Sequence, residues 1–340
     1  MKKMAILALL LLVFLTAVPF YVNSTQDKQA QETDGTVASE EVSQTSISDG
    51  DETEVSQPQV EILVCMATSG SVVGLSLEEY VIGVVAGEMP ALYEAEALKA
   101  QAAASMNLAR LAVQKGTQTG LNGGHISSSA SVAQAYLTKA QMQQKWGDDF
   151  EAYYNRITSA VQAVIDYEIV YADELCQTCF HAVSAGKTEN SENVWLTALP
   201  YLTATDSSFD STAADFSVSV QMYAEDFADG LAEYGFAPQQ NARLWLGESV
   251  YSDSGTLLSL EVGDITVTGA QLRKAFGLRS AAITVVYEDG EFILTTRGYG
   301  HGVGMSQYGA QQLALQGKTW QEIIAHYYNG VEIRKCDEKK

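Results

Sequence analysis

One carboxylate, Glu88, stands in the stretch Gly87-Glu88-Met89-Pro90, with Val84 and Val85 before it and no basic residue after it until Lys99. A glutamate at a helix boundary is ordinarily solvated. An apolar collar of this kind disfavours the charged form and lifts a carboxyl towards the range in which it donates a proton at neutral pH. The chemistry to which it points is general acid catalysis.

A second group of candidates lies in GYGHGVGMSQYGA, residues 298–310. Gly298, Gly300, Gly302, Gly304 and Gly309 allow tight turns and close approach of backbone to a ligand, and His301, Ser306, Gln307 and Tyr308 supply donors and acceptors. The run is neither a phosphate loop, which needs Gly-Lys-Ser/Thr, nor a dinucleotide fingerprint, which needs a preceding strand and the order G-x-G-x-x-G. It reads as a binding loop.

The third candidate is CQTCFH. Cys176, Cys179 and His181 could hold zinc with His125 as the fourth ligand, since Cys-x-x-Cys suits a tetrahedral site. Strand alternation argues the other way, because it puts Cys179 and His181 on one face and Cys176 on the opposite one. A local disulfide and a pair of buried thiols are the alternatives. There is no H-E-x-x-H and no serine-hydrolase spacing, so those two classes find no support.

These residues need elements to hold them. Residues 61–67 and 71–75 alternate around Thr68-Ser69-Gly70 as a hairpin. The period then changes: Ser76 and Glu79 form a capping-box pattern, a helix carries Leu77, Tyr80, Val81, Val84 and Val85, and Gly87 and Pro90 stop it. Residues 94–113, EAEALKAQAAASMNLARLAV, are strong helix formers whose alanines admit another backbone at close range, which predicts a central helix. Residues 115–131 read as a long loop containing His125, residues 132–146 and 150–165 as helices, and residues 167–186 as a strand-like series interrupted by a turn at Asp173-Glu174. Residues 188–216 read as mostly loop, 224–234 as helix, and 257–300 as alternating strands around turns at Gly263-Asp264 and Asp289-Gly290 with a short helix at 269–276. Helices at 310–316 and 319–328 close the chain. The order predicts an α+β fold with Ala-rich central helices and antiparallel hairpins.

Composition bounds the setting. The 340 residues are 46% apolar, enough for a sizeable core, and carry a formal net charge of −22. Nucleic acid and anionic lipid, which require a positive footprint, find no support as partners. Two lysines precede an uncharged stretch, Met4 to Val22, long enough to span a bilayer once; it also has the length of a cleaved secretory signal. Either reading exports the rest of the chain. Residues 24–59 contain nine acidic side chains and one lysine and read as a self-repelling disordered linker. The expected organisation is an anchor or uncleaved signal at 1–23, the linker at 24–59, a catalytic domain at 60–335 and a short tail at 336–340.

LSLEEYVIGVVAGEMP with EALKAQAAA, FHAVSAGKTENSENVW with PYL, LRKAFGLRS, and GYGHGVGMSQYGA together resemble the stage II sporulation protein D family, which includes amidase-enhancer proteins. The blocks occur in order over about residues 60 to 335, and the resemblance implies one elongated or crescent-like catalytic region with a substrate groove. The resemblance implies a membrane-anchored lytic transglycosylase that cuts peptidoglycan glycan strands between N-acetylmuramic acid and N-acetylglucosamine during engulfment of the forespore. It would act outside the cytoplasm, at the mother-cell membrane facing the forespore. The preferred substrate would be denuded strands, stripped of stem peptides by a sporulation cell-wall amidase, with a membrane scaffold protein holding the assembly. The family glutamate falls on Glu88, as the catalytic acid. Its His-Ser-Thr-Ser-Gly-Gly block falls on residues 181–186 and its terminal loop on residues 300–308. By residue type, His181, Ser184, Tyr201, His301 and Gln307, with Ser306 and Tyr308 beside it, are expected to bind sugar and acetamido groups.

The resemblance implies no required cofactor, although some relatives bind zinc in the loop after the Ala-rich helix. Here that loop keeps His125 and has no cysteine, so the zinc site is either lost or rebuilt with Cys176 and Cys179. Met106 stands where the family has arginine and Leu108 where it has tyrosine, and Arg110, one turn on, is positioned to replace part of the lost cation. Ala182, Val183 and Ala185 also depart from the pattern. Those departures motivate an alternative: a glycan-binding activator of the amidase that does not itself cut. A purely structural engulfment protein is a third reading.

Overall fold

The computed structural model describes residues 61–336. The expected anchor or signal at 1–23 and linker at 24–59 lie outside the described residues, as do residues 337–340 of the tail. Among the described residues no helix is long and apolar enough to cross a membrane.

The chain opens with the expected hairpin, β1 (Ile62–Cys65) antiparallel to β2 (Val72–Leu75), with Ile62 opposite Leu75. The helix α1 (Leu77–Glu88) comes next. Ser76 caps it, its Oγ accepting from the Glu79 N–H at 3.1 Å, while the Leu77 N–H goes to Glu61 Oε2 at 3.0 Å. The expected capping box is thus only half made, because a carboxylate from the hairpin meets the first turn. Every residue from Tyr80 to Ala86 is buried, so α1 is a core helix on all sides. It also runs one residue past Gly87, which leaves Glu88 as its last member.

The helix α2 (Ala95–Lys115) is central as expected: α1 packs on it, and six of its alanines, from Ala97 to Ala109, are buried. The loop expected at 115–131 contains a two-residue strand, β3 (Ile126–Ser127), parallel to β1. Two residues are too short to show a period. The helix expected over 132–146 begins only at Lys139, as α3 (Lys139–Trp146), because Thr138 closes a full capping box with Gln141 and fixes the start there. Residues before Thr138 cross α1 as extended chain, and α4 (Phe150–Gln162) then packs on both α1 and α2.

A small sheet, β4 (Tyr167–Tyr171) with β5 (Glu174–Leu175), leads to β6 (Phe180–His181) and the short helix α5 (Ser191–Trp195). Two three-stranded sheets then fold around a separate core: β7 (Ser217–Tyr223), α6 (Ala224–Leu231), β8 (Leu246–Tyr251), β9 (Leu257–Val262), β10 (Ile265–Val267), α7 (Gly269–Phe276), β11 (Ile283–Glu288) and β12 (Glu291–Arg297). Phe227, Trp245, Leu272 and Phe292 fill that second core. The chain returns as β13 (Met305–Ser306), parallel to β6, then α8 (Gln307–Leu315), α9 (Trp320–Tyr327) and β14 (Glu332–Lys335) antiparallel to β4.

The second core is therefore an insertion between two strands that lie side by side. Buried polar pairs stitch it to the first: Ser252 Oγ donates to Glu189 Oε2 at 2.5 Å, and Ser254 Oγ to the Thr188 carbonyl at 2.7 Å. Separate small sheets and helices of both kinds make the fold α+β, as the order of elements predicts.

Candidate functional site

Glu88 sits at the carboxyl end of α1, partly buried, with Val84, Val85 and Met89 buried around it and Pro90 turned to solvent. Two donors hold its oxygens. The Ala135 N–H donates to Oε1 at 2.6 Å, and Gln307 Nε2 donates to Oε2 at 3.1 Å. Burial raises the carboxyl from its ordinary 4.5 to about 7, and the two hydrogen bonds, which favour the charged form, hold it from going higher. The group thus divides between its two protonation states at neutral pH. That is the property a group needs to act first as an acid and then as a base.

Ala135 reaches Glu88 because two glycines one turn apart flatten α1. A Cβ on Gly83 would lie 2.3 Å from the Tyr136 ring, and one on Gly87 would lie 3.1 Å from the Ala135 carbonyl. Residues 131–138 cross in that track. Gln134 fastens the crossing, its Nε2 donating to the Tyr80 hydroxyl at 3.3 Å.

Gln307 is the first residue of α8. Ser306 caps that helix by accepting from the Gly309 N–H at 3.1 Å, and in β13 it lies opposite His181 of β6. At Gly304, where φ is +72°, a Cβ would come within 2.0 Å of the Cys179 carbonyl oxygen. At Gly300, where φ is +116°, it would meet the His181 Cβ at 2.7 Å. The glycines expected to admit a ligand admit, at these two positions, the chain's own backbone.

The remaining expected sugar-binding residues are engaged elsewhere. His181 Nδ1 donates to the Val303 carbonyl at 3.1 Å, and His301 Nδ1 accepts from the Val303 N–H at 3.1 Å, so the two imidazoles clamp one residue's backbone. Burial lowers His181 to about 4 and takes His301 well below its ordinary value, with Arg273 adding to both effects, so both rings are neutral at neutral pH. The Ser184 N–H donates to Asp210 Oδ2 at 2.7 Å, and Ser184 Oγ accepts from the Gly186 N–H. The Tyr201 hydroxyl accepts from the Gln177 N–H at 3.0 Å, and the Tyr308 hydroxyl pairs with Thr212 Oγ1 at 3.0 Å. Of the seven, Gln307 alone among the described residues is hydrogen-bonded to Glu88.

The expected zinc set is not brought together: among the described residues no three His, Cys, Asp or Glu side chains are grouped to hold a metal. His125 Nδ1 accepts from the Leu63 N–H at 3.0 Å beside the opening hairpin, while Cys176 and Cys179 are buried in the main core. Burial pushes both thiols up to about 12, and neither forms a disulfide. The buried-thiol alternative is the one realised.

Met106 is fully buried in the main core, where it packs. Arg110 does not take the place of a cation near Glu88. It donates to the carbonyls of Ile165 and Tyr167, and it lies nine residues beyond Gln101, roughly 13 Å along the helix.

Three partners were not evident from the sequence. Gln101 Oε1 accepts from Gln307 Nε2 at 3.3 Å, and Gln101 Nε2 donates to Ser105 Oγ at 3.0 Å, so a buried polar chain runs from Glu88 into α2. Gln101 and Ser105 are polar interruptions in an alanine run, and that was the signal for them. Ala135 acts through its backbone, so only the Gly83 and Gly87 pair marks its track.

The sequence model of a family described as Stage II sporulation protein matches residues 67–171. Among curated proteins, the chain is 34% identical over 334 residues to Stage II sporulation protein D of Bacillus subtilis (strain 168), covering 97% of this chain and 94% of that protein. It is 33% identical to Stage II sporulation protein D of Bacillus amyloliquefaciens, covering 85% of this chain and 83% of that one. A more distant match, 24% identical over 74% of this chain and 40% of the other, is a Bacillus subtilis protein named Amidase enhancer.

Proposed function

The chain belongs to the stage II sporulation protein D family, with a role in sporulation, and on that footing we propose that it is a lytic transglycosylase of peptidoglycan with Glu88 as its acid and base. The observation that carries the reading is the carboxyl of Glu88, raised by burial to about 7 and held by one backbone and one side-chain donor.

A single such carboxyl suffices. Protonated Glu88 gives its proton to the glycosidic oxygen as the bond between N-acetylmuramic acid and N-acetylglucosamine breaks and the muramic ring takes on oxocarbenium character. The carboxylate left behind takes the proton of the muramic C6 hydroxyl, whose oxygen closes on C1. Ordinary glycosidases need a second carboxylate for a nucleophile or a water. Internal attack by a hydroxyl held in place does not, because proximity replaces the missing activation. The products are a 1,6-anhydromuramyl end and a free 4-hydroxyl on the leaving sugar, and Glu88 is protonated again. The two lysines and apolar stretch at the amino terminus support a folded part held outside the cytoplasm, on the membrane that engulfs the forespore.

The test is mass spectrometry of peptide-free glycan strands incubated with the full chain and with Glu88→Gln. Anhydromuramyl ends formed by the first and absent with the second support the proposal; equal yields from both end it. One comparison favours a second reading, a glycan-binding activator of a sporulation amidase: a relative carries the name Amidase enhancer. Amidase stimulation by the Glu88→Gln protein, with no anhydro product from either form, selects it.

A further inference from the structure

A residue that donates a proton and then recovers it presents two different faces to its neighbours. As a carboxylate, Glu88 has only acceptors; protonated, it has one O–H to place. The Ala135 N–H can only donate, so Oε1 is an acceptor in both states. Oε2 is therefore where the proton resides, and Oε2 faces Gln307.

The Gln307 amide serves the carboxylate state through Nε2, which lies 3.1 Å from Glu88 Oε2 and 3.3 Å from Gln101 Oε1. Gln101 in turn offers Nε2 to Ser105 Oγ at 3.0 Å. Gln307, Gln101 and Ser105 are all buried, so the direction of each bond is set by the next along the chain. Once Glu88 is protonated, and before a glycosidic oxygen is in place to take its hydrogen, that O–H finds no acceptor in Gln307 Nε2. Turning the Gln307 amide over presents Oε1 instead, but that sets two carbonyl oxygens against each other at Gln101. The clash is relieved if Gln101 turns over as well, giving its Nε2 to Gln307 Oε1 and receiving the Ser105 hydroxyl hydrogen on its own Oε1. Each bond linking Glu88, Gln307, Gln101 and Ser105 again pairs a donor with an acceptor. No proton travels along the chain; only the ends of two amides and one hydroxyl exchange.

We infer that Gln101 is a positioning residue for Glu88: it fixes which end of the Gln307 amide faces the carboxyl, and it reverses together with Gln307 when Glu88 changes protonation state. Two other titratable groups lie near Glu88. Tyr80, on the same helix, is held protonated by burial, and Lys145 of α3 gives its ammonium to the Ala86 carbonyl at 3.0 Å. The inference deepens the acid–base reading of Glu88 and takes its catalytic meaning from it.

The test is nuclear magnetic resonance of the full chain with glutamate labelled at the side-chain carboxyl, the Glu88 signal being assigned by its loss in Glu88→Gln. In Gln101→Met, which keeps the side-chain length and removes the amide, Gln307 is free to turn its carbonyl to Glu88. The Glu88 midpoint is then expected to move up by about one pH unit, the equivalent of one hydrogen bond to a charged group. In the unmodified chain, the side-chain amide signals of both Gln101 and Gln307 are expected to titrate at the Glu88 midpoint and to lie flat in Glu88→Gln. A Gln101 signal that does not follow Glu88 overturns the inference, and so does an unmoved midpoint in a folded Gln101→Met protein. A midpoint that moves as expected in a chain that cuts no glycan leaves the inference standing and removes the transglycosylase reading.

Discussion

The backbone N–H of Ala135 lies 2.6 Å from Oε1 of Glu88, and the approach exists because residue 87 has no Cβ. Methyl addition at Gly87 would put a carbon 3.1 Å from the Ala135 carbonyl carbon and oxygen, closer than relaxed packing allows, so the crossing segment has to lift. We expect Gly87→Ala to lose roughly 10- to 100-fold in glycan cleavage through displacement of the acid, with an overpacking cost of about 1–3 kcal/mol. The Glu88 midpoint should rise, since a donor to the carboxylate withdraws. Cleavage rates and denaturant unfolding check the two effects; a fully active Gly87→Ala chain would show that Ala135 does not position Glu88.

Activity and stability should respond to pH in linked ways. In the proposed mechanism cleavage needs protonated Glu88, so the rate is expected to fall as pH rises through about 7. Glu88→Gln should remove about 10²-fold or more of the rate, the usual share of a general acid. Because the folded-state value is raised above the ordinary 4.5, the folded chain holds this proton more tightly than the unfolded chain. Stability from this group is therefore present at low pH and is lost between about 4.5 and 7, a difference of about 3 kcal/mol. Unfolding at pH 5 and pH 8 should show that decline in the native chain and a flatter profile in Glu88→Gln.

The seam between the two cores should be sensitive to one atom. Ser252→Ala deletes the hydroxyl that donates to buried Glu189 Oε2, leaving a carboxylate oxygen short of a donor. A loss of about 1–3 kcal/mol is expected. Equal melting curves for Ser252→Ala and the native chain would contradict it.

Thiol chemistry offers a further check. With both thiols pushed up to about 12, Cys176 and Cys179 hold almost no thiolate at neutral pH. Both should resist alkylation until the chain unfolds, and a chelator should leave glycan cleavage unchanged. Rapid labelling of the native chain at Cys179, or loss of cleavage with chelator, would speak for a metal or exposed thiols there.

Much of this molecule could be read from periodicity. The opening hairpin, the central alanine helix and the helix at Gly269–Phe276 obey patterns several turns or alternations long. Glu88 was marked by its apolar neighbours, and those neighbours are what raise its carboxyl. What stayed hidden depends on residues far apart in the sequence. Ile126–Ser127 is a strand because β1 lies beside it, and residues 134–138 are free of helix where they pass Gly83 and Gly87, whose missing Cβ atoms leave room for Ala135 and Tyr136. The two histidines misled for a related reason. Their type suggests a polar ligand, and the ligand they found is the Val303 backbone, two residues from His301 and brought to His181 by the pairing of β13 with β6.

The bond between Gln307 and Glu88 joins residues 219 positions apart. A chain delivered amino end first, from a ribosome or across a membrane, presents Glu88 early and Gln307 nearly last. Until the final helices arrive, the carboxyl lacks its second donor, and the Gly304 turn that presses against the Cys179 carbonyl has not closed. On the acid–base reading proposed above, a fragment that ends before residue 307 leaves Glu88 Oε2 without its side-chain donor, so the order of the sequence makes the last helices a condition for the site.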